Sequence, residues 1–394
     1  MNCRICHSPT RLVAPLGRHP VSGVFPDRQD LGDTLFPLDL YFCAGCGLSQ
    51  LGDEMTPRSS FREYAYLASF SATMTNHFSN LSDAIVERVG TRAHVVDIGC
   101  NDGGLMKQLS ERGFSVLGVD PSRPSSAITR ALGLPAIVEY FSTELVADQR
   151  LAGTADVVSC TSTLQHIEDL HGFVEGVSLL LKEEGLFVVD VGHVSAVLRA
   201  MHQVHHEYLT YFWSQPLTEL AEQHGFYNVG FEQLPLHGGT LRAWFRKGIG
   251  ESRVPTLAWE TADLANPRVY ERAYERLTSN VRKTRRFLDE LKQRHHGRPM
   301  AAYGASARGA VLASLCGLGD FVDCCVDTTP TKVGRYHPGL QVPIISEADW
   351  YERRDSLSLL LASDLEEEIL RRTTRYREGG GRFVRLIPEP AVII

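Results

Sequence analysis

Apolar and polar positions follow two different patterns along this chain. From residue 93 to about residue 225, short apolar runs recur between stretches of helical spacing, which is typical of strands that alternate with helices. Strands are predicted at 94–98, 116–119, 156–160 and 186–191. Because such alternation favours a doubly wound parallel sheet, the middle of the chain is predicted to be a Rossmann-like α/β domain.

The pattern changes after Gly225. Two apolar runs, 227–234 and 241–245, flank the turn 236–240 and predict an antiparallel hairpin that closes the sheet. Residues 266–296 then predict a long charged helix with one apolar face, a natural spacer between domains. That face consists of Val269, Ala273, Leu277, Val281, Leu288 and Leu291. A second Rossmann-like α/β unit should follow, with strands at 300–303, 321–326, 358–362 and 383–387.

Four cysteines stand in two close pairs near the N-terminus, Cys3 with Cys6 and Cys43 with Cys46. Each Cys-x-x-Cys unit directs two thiolates at one ion, and four sulfurs complete the closed tetrahedral shell of structural zinc. We therefore predict a small zinc-binding module over residues 1–58. The alternative is that these are buried reduced cysteines in two unrelated turns. A zinc ribbon for nucleic acid is disfavoured, since the flanking residues are not basic.

Composition narrows the classes of partner. The 394 residues include 40 Lys and Arg against 47 Asp and Glu, a net charge of −7, which argues against a broad nucleic-acid surface. No apolar run approaches the ~20 residues of a membrane span, and the first residues lack the apolar segment of a secretory signal. We expect a cytoplasmic monomer that acts on small molecules, with domains at 1–58, 59–250 and 251–394.

The first strand of the central sheet leads into a candidate cofactor turn. Gly99 lets the backbone approach a ligand, and Asp120, at the end of the next strand, is placed to accept the hydroxyls of a ribose. The turn lacks the G-x-G-x-x-G of dinucleotide sites, and Asp97 suits the cationic amino group of S-adenosylmethionine (SAM). Another Rossmann-like domain with an acidic second strand is the alternative. The candidate cofactor residues are Asp97, Gly99, Asn101, Asp120, Tyr140 and Phe141, of which the last two border the adenine or belong to the core.

Several segments resemble one known family in order along nearly the whole chain. Besides the cysteine pairs and the Asp97 turn, they are Gln203 to Phe212, His237 to Arg242, Tyr303 to Gly309, Gly380 to Phe383 and Ile387 to Pro390. Together they resemble the deoxysugar C-methyltransferases of antibiotic sugar pathways. The resemblance implies a zinc-binding domain, a class I SAM methyltransferase domain and a C-terminal Rossmann-like domain that helps to enclose the substrate. It also implies methylation of the carbon next to the ketone of a nucleotide-diphosphate deoxysugar.

The resemblance also implies the catalytic residues. The family uses a tyrosine before the central domain, a histidine after its fourth strand and a Tyr-His-Glu-His segment, whose final histidine takes the proton. Tyr64 or Tyr66 and His166 match the first two. The third match is His205-His206-Glu207-Tyr208, in which the outer residues are exchanged. His205 or Tyr208, oriented by Glu207, is therefore the expected base, while Tyr64, Tyr66 or His166 holds the enolate. A different methyl acceptor on a similar sugar and a non-catalytic protein are the alternatives.

Substrate contacts are expected mainly from the C-terminal part. A glycine-containing turn opens a helix at Ser306, and Lys332 and Arg335 follow the next strand as candidates for diphosphate contacts. The full set is His206, His237, Arg242, Ser306, Lys332 and Arg335. Solvated surface charge is the alternative for the two basic residues, and an NAD-dependent sugar oxidoreductase is the alternative for the turn. A second metal at the histidines around residue 205 is a weaker alternative.

Overall fold

The structure is a computed structural model that describes residues 1–28, 34–52, 58–64, 67–253, 257–295, 300–353 and 357–393. Tyr66, one of the two tyrosines predicted before the central domain, lies outside these ranges. No helix within them is both long enough and apolar enough to cross a membrane.

The N-terminal part folds into short antiparallel strands. They are β1 (Thr10–Ala14), β2 (Arg18–Pro20), β3 (Leu35–Pro37), β4 (Leu40–Cys43) and β5 (Ser49–Leu51), and a later strand, β11 (Thr210–Tyr211), joins them. The sheet order is β1-β4-β5-β11, and β2 pairs separately with β3. Because β11 comes from the central region, the sheet ties the N-terminal module to the middle of the chain.

The central region forms the predicted parallel sheet. Its helices are α1 (Ala72–Val89), α2 (Gly104–Glu111), α3 (Arg123–Ala131), α4 (Thr143–Asp148), α5 (Leu170–Leu180), α6 (Val194–Arg199) and α7 (Ser214–Glu222). Its strands are β6 (His94–Ile98), β7 (Ser115–Val119), β8 (Ala136–Ile137), β9 (Ala155–Thr161), β10 (Leu181–Gly192), β12 (Phe226–Leu234) and β13 (Thr240–Lys247). The four predicted strands and the hairpin are confirmed. The pattern located them because their apolar side chains, such as Val95, Val96 and Val158, are fully buried.

The strand order places the candidate cofactor turn at the middle of the sheet. The order is β12-β13-β10-β9-β6-β7-β8, in which β13 runs antiparallel to both of its neighbours and the other six strands run in one direction. Parallel strands end at the same edge of a sheet, and ligands of open α/β sheets bind there. Asp97 in β6 and Asp120 after β7 therefore lie at one edge.

A long helix, α8 (Pro267–Arg294), follows the hairpin. Asn266 caps it, since its side chain accepts a hydrogen bond from the backbone of Arg268. The apolar face differs slightly from the prediction: Val269 and Val281 are only partly buried, whereas Tyr270 and Thr284 are fully buried. The buried hydroxyl of Thr284 donates a hydrogen bond to the carbonyl of Leu386 at 2.6 Å. The helix packs on β1, on α6 and on the C-terminal domain, so it joins these parts and is more than a spacer.

The C-terminal region is a second α/β unit. Its strands are β14 (Met300–Tyr303), β15 (Val322–Val326), β16 (Tyr336–His337), β17 (Val342–Ile345), β18 (Leu357–Leu360), β19 (Arg382–Arg385) and β20 (Ala391–Ile393). Its helices are α9 (Ala307–Cys316), α10 (Glu347–Arg353), α11 (Glu366–Arg372) and α12 (Thr374–Glu378). The order is β16-β17-β15-β14-β18-β19-β20, with the inner strands parallel. The ends of β14 and β15 face the central domain across a cavity.

Candidate active site

A cavity of about 1080 Å³ lies where all three parts of the chain meet. Gly23 and Phe25 of the N-terminal module line it, together with the ends of β6 and β7 and the start of α9. Its volume slightly exceeds the usual range for ligand pockets, which is about 300 to 1,000 Å³. The cavity is therefore large enough for a cofactor and a substrate together.

The edge of the central sheet supplies one end of the cavity. Gly99 has a φ of +77°, and a Cβ there would overlap the hydroxyl of Thr163, so the turn needs glycine for its conformation and for its close approach. Asp97 is buried beside it and accepts a hydrogen bond from Ser159 at 2.7 Å. Burial raises the pKa of Asp97 to about 7 despite that hydrogen bond. A cationic ligand group at this carboxylate would stabilise its charged form.

The second acidic residue of this edge is held in place by the backbone. The carboxylate of Asp120 accepts N–H hydrogen bonds from Asn101 at 2.9 Å and from Ser122 at 2.8 Å. These bonds fix its direction and leave lone pairs for ribose hydroxyls. Tyr140 and Phe141 line the same end, where aromatic rings can flank a purine. All six predicted cofactor residues thus line the cavity, and they fit SAM in charge, in hydrogen bonding and in shape.

Glu207 also lines the cavity, and residues distant in the sequence contact it. The hydroxyl of Tyr64 donates to its Oε2 at 3.1 Å, and Nδ1 of His166 approaches its backbone carbonyl at 2.6 Å. Burial raises the pKa of Glu207, whereas the hydrogen bond from Tyr64 and the charges of Lys332 and Arg308 lower it. The structure therefore brings together a carboxyl group, a phenol and an imidazole that the sequence placed far apart.

The contacts of His205 define its chemistry. Its Nδ1 lies 2.7 Å from the carbonyl of Gln203, and because a carbonyl only accepts, Nδ1 carries the proton. In the neutral ring Nε2 then holds a lone pair, and it has no hydrogen-bond partner among the residues that the structure describes. Burial lowers the pKa of His205 well below its ordinary value, and the charge of Arg308 adds to this effect. His205 is thus a neutral imidazole that can accept a proton.

Tyr208 lies between two imidazoles. Its ring is 4.2 Å from that of His205 and 5.0 Å, edge to face, from that of His166. Burial lowers the pKa of His166 to about 4, although hydrogen bonds to two carbonyls raise it. Both histidines are therefore neutral near pH 7, and the Tyr208 ring lies beside both imidazoles.

The C-terminal wall carries the positive charge of the cavity. Ser306 caps α9 through a hydrogen bond from the backbone of Gly309 at 3.0 Å. Lys332 donates to the carbonyl of Ala305 at 2.8 Å and lies 3.5 Å from Asp327. Arg308, in the first turn of α9, also lines the cavity. The sequence analysis missed Arg308, although its place in the glycine-containing turn beside Ser306 was a signal.

Two predicted basic residues do not line the cavity, which corrects their assignment as substrate contacts. Arg242 lies inside β13 opposite Asp190, and two hydrogen bonds of 2.8 Å bind its guanidinium to that carboxylate. Arg335 is exposed, pairs with Asp27 at 3.6 Å and donates to the carbonyl of Phe25. By contrast, His206 and His237 line the cavity, and their role as substrate contacts stays a prediction.

Arg372 is a second cationic residue that the sequence analysis missed. It projects from α11 into the cavity and donates to the hydroxyl of Tyr303 at 2.8 Å. No motif surrounds it in the sequence, because only the packing of α11 beside the end of β14 places it there.

The four N-terminal cysteines meet in one cluster, as their spacing predicted. The sulfurs of Cys3 and Cys46 are 3.5 Å apart, those of Cys6 and Cys43 are 3.4 Å apart, and all four lie within 4.8 Å of one another. Tetrahedral zinc with Zn–S bonds of 2.3 Å needs sulfurs about 3.8 Å apart, so the cluster fits zinc. No other cluster of three or more His, Cys, Asp or Glu ligands occurs within the described ranges, so the histidines around residue 205 do not form a second metal site.

Comparisons with known proteins agree with this arrangement. Three family models match successive parts of the chain: a zinc binding domain over residues 3–61, a methyltransferase domain over 73–230 and a C-methyltransferase C-terminal domain over 235–388. The C-methyltransferase NovU of Streptomyces niveus is 32% identical over 406 residues, which cover 99% of this chain and 96% of that protein. The chain belongs to this C-methyltransferase family.

Other relatives share only the central part. A ubiquinone biosynthesis O-methyltransferase of Marinobacter nauticus is 32% identical over 116 residues, 28% of this chain and 48% of that protein. A solved structure from Pyrococcus horikoshii OT3 superposes with a TM-score of 0.41 and 17% identity, over 49% of this chain and all of that one. The protein is a SAM-dependent C-methyltransferase with a zinc-binding module, and it acts on a small molecule. The oxidoreductase alternative has no support, since the turn that suggested it lies in the C-methyltransferase C-terminal domain.

Proposed function

We propose that this C-methyltransferase acts on a nucleotide-diphosphate-linked keto-deoxysugar, at the carbon next to the ketone, in the biosynthesis of an antibiotic or another natural product. The observation that carries the proposal is the neutral His205, whose Nε2 is available inside the cavity that also holds Asp97 and Asp120. A C–H bond next to a ketone is a weak acid, so carbon methylation there needs a buried neutral base of this kind.

His205 is the base in this proposal. Its Nε2 takes the proton from the carbon, and the electron pair moves to the ketone oxygen to give an enolate. The contact of Nδ1 with the carbonyl of Gln203 stabilises the resulting imidazolium. Tyr208 is less suited to the task, because a phenol is a weak base near neutral pH. Of the two candidates in the His205-to-Tyr208 segment, the proposal therefore takes the histidine as the base.

Hydroxyl groups next to the base stabilise the enolate. The Tyr208 ring packs against that of His205 in a tilted arrangement, and its hydroxyl can donate to the developing oxyanion, while Tyr64 and Glu207 form a hydrogen-bonded pair that orients the sugar. His166 holds the backbone of Glu207 and so fixes this segment. When bound beside Asp97 and Asp120, SAM would supply an electrophilic methyl group to the enolate carbon; the C–C bond would form as the S–CH₃ bond breaks, and S-adenosylhomocysteine would leave.

The C-terminal wall suits a diphosphate. Two successive negative charges need cations and N–H donors, and the N-terminus of α9 offers both next to Arg308 and Lys332. His205 and Glu207 line the same cavity as this wall and as the cofactor residues Asp97 and Asp120. A sugar attached to a diphosphate held here would therefore lie between the cations and the methyl donor.

The test is an assay with SAM and a panel of nucleotide-diphosphate keto-deoxysugars. We expect a product heavier by one methyl group, with the label on carbon when carbon-13 methyl SAM is used. In D₂O with S-adenosylhomocysteine in place of SAM, the acidic C–H should exchange. His205→Ala should abolish exchange, while Tyr208→Phe should slow methylation and retain exchange. Exchange that persists in His205→Ala and stops in Tyr208→Phe would reverse the assignment of the base.

A further inference from the structure

A loop of the zinc-binding module reaches into the active-site cavity. Gly23 and Phe25 are the residues of this loop that line it, next to groups from the other two parts of the chain. The φ of Gly23 lies outside the left-handed region, so its conformation alone does not require glycine. Its small size is what the surroundings require.

The missing side chain of Gly23 creates the space for Glu207. A Cβ at residue 23 would overlap Oε1 of Glu207 and would lie 2.7 Å from its Cδ and 3.3 Å from its Cγ. The other carboxylate oxygen, Oε2, accepts the hydrogen bond from Tyr64. The carboxylate is thus held between the Gly23 backbone and the Tyr64 hydroxyl, and any side chain at residue 23 would displace it.

The same loop also contacts the cationic wall. The ammonium group of Lys332 lies 5.2 Å from the centre of the Phe25 ring, a cation–π contact. The carbonyl of Pro26 accepts a hydrogen bond from the backbone of Tyr336 at 2.8 Å, which anchors the loop to the C-terminal domain. One short segment therefore contacts Glu207 on one side and Lys332 on the other.

We infer that residues 21–26 of the zinc-binding module are a positioning element of the active site, in which Gly23 makes room for the Glu207 carboxylate and Phe25 holds Lys332. The inference rests on the proposed function, since it assigns the roles of Glu207 and Lys332 in that reaction. It makes the N-terminal module a functional wall of the cavity as well as a zinc-held fold.

The first test is Gly23→Ala, with Gly52→Ala as the matched control. Gly52 lies in the same module, and a Cβ there would meet only Tyr41 at an ordinary 3.5 Å. Displacement of Glu207 by about 1 Å should lower kcat for methylation and the rate of C–H exchange by up to about 100-fold in Gly23→Ala. The affinity for S-adenosylhomocysteine and the zinc content should stay at the wild-type values in both variants.

A compensating change separates positioning from general damage. Glu207→Asp withdraws the carboxylate by one methylene, so Gly23→Ala should cost less activity in the Glu207→Asp background than in the wild type. Equal costs in the two backgrounds, or a Gly23→Ala enzyme as active as Gly52→Ala, would overturn the inference.

Phe25→Leu provides an independent test of the second contact. Loss of the cation–π contact should raise KM for the sugar nucleotide about fivefold and leave kcat nearly unchanged. If Gly23→Ala fails to fold, Phe25→Leu alone tests the inference, and an unchanged KM for the sugar nucleotide in Phe25→Leu overturns it. Should the wild-type enzyme neither exchange nor methylate any keto-sugar nucleotide, the proposed function itself fails, which is a distinct result.

Discussion

Replacement of Arg242 by methionine tests whether this arginine stabilises the fold through Asp190 or contacts the substrate. Its guanidinium is only 2% exposed and makes two hydrogen bonds of 2.8 Å to Asp190, which also lies 2.8 Å from His77. Arg242→Met leaves the buried carboxylate with the histidine alone. Because removal of one partner from a buried ion pair strands the other charge, we expect the free energy of unfolding at pH 7 to fall by about 3 to 5 kcal/mol.

The pH dependence of this loss follows from the state of Asp190. Burial by itself raises the pKa of Asp190, but the charge and hydrogen bonds of Arg242, together with the contact to His77, outweigh that effect and hold the pKa below its ordinary value. A depressed carboxyl pKa stabilises the fold above the unfolded value of about 3.9, and this stabilisation disappears as the pH falls through the folded value. The difference in the free energy of unfolding between the wild type and Arg242→Met should therefore become smaller below about pH 4.

The assay is urea denaturation of both proteins at neutral and acidic pH, combined with kinetics on the folded fraction. Arg246→Met is the matched control, since Arg246 lies on the same strand and, among the residues that the structure describes, its side chain donates a hydrogen bond only to the carbonyl of Glu184 at the surface. It should change stability by no more than about 0.5 kcal/mol. An Arg242→Met enzyme of normal stability with a much higher KM for the sugar nucleotide would refute this reasoning and restore Arg242 as a substrate contact.

Three further predictions concern the proposed base, the zinc cluster and the cofactor residues. Because burial lowers the pKa of His205 well below its ordinary value, kcat should stay constant from pH 8 to about pH 6, whereas a half-maximal kcat near 6.5 would indicate an ordinary imidazole. Cys43→Ser should lose the bound zinc measured by atomic emission and unfold at a lower temperature, while Cys316→Ser, a buried cysteine outside the cluster, should retain the metal. Asp120→Asn should weaken S-adenosylhomocysteine binding about tenfold in calorimetry, and exposed Asp148→Asn should not.

Local sequence patterns were sufficient to predict the strands of the central sheet, the zinc ligands and the candidate cofactor residues. The strands of the central sheet carry apolar side chains at nearly every position because both faces are covered, and that signal is visible without the fold. The two cysteine pairs predicted a zinc site because each pair spans only four residues, which is short enough to direct both thiolates at one ion. Asp97, Gly99 and Asp120 were identifiable since a strand, its turn and the next strand end are consecutive in the chain.

Only the tertiary structure decided which side chains meet. Arg242 was assigned to the substrate from its charge, but the register of β13 against β10 places it opposite Asp190 inside the sheet. Arg308 and Arg372 enter the cavity, and Gly23 approaches Glu207, through contacts between distant segments. A local pattern predicts the conformation of a segment because that conformation depends mainly on residues close together in the sequence. The partner of a side chain depends on sheet register and domain packing, which bring together residues from tens to hundreds of positions apart. The sequence therefore determines which chemical groups are present, and the tertiary structure determines which of them meet.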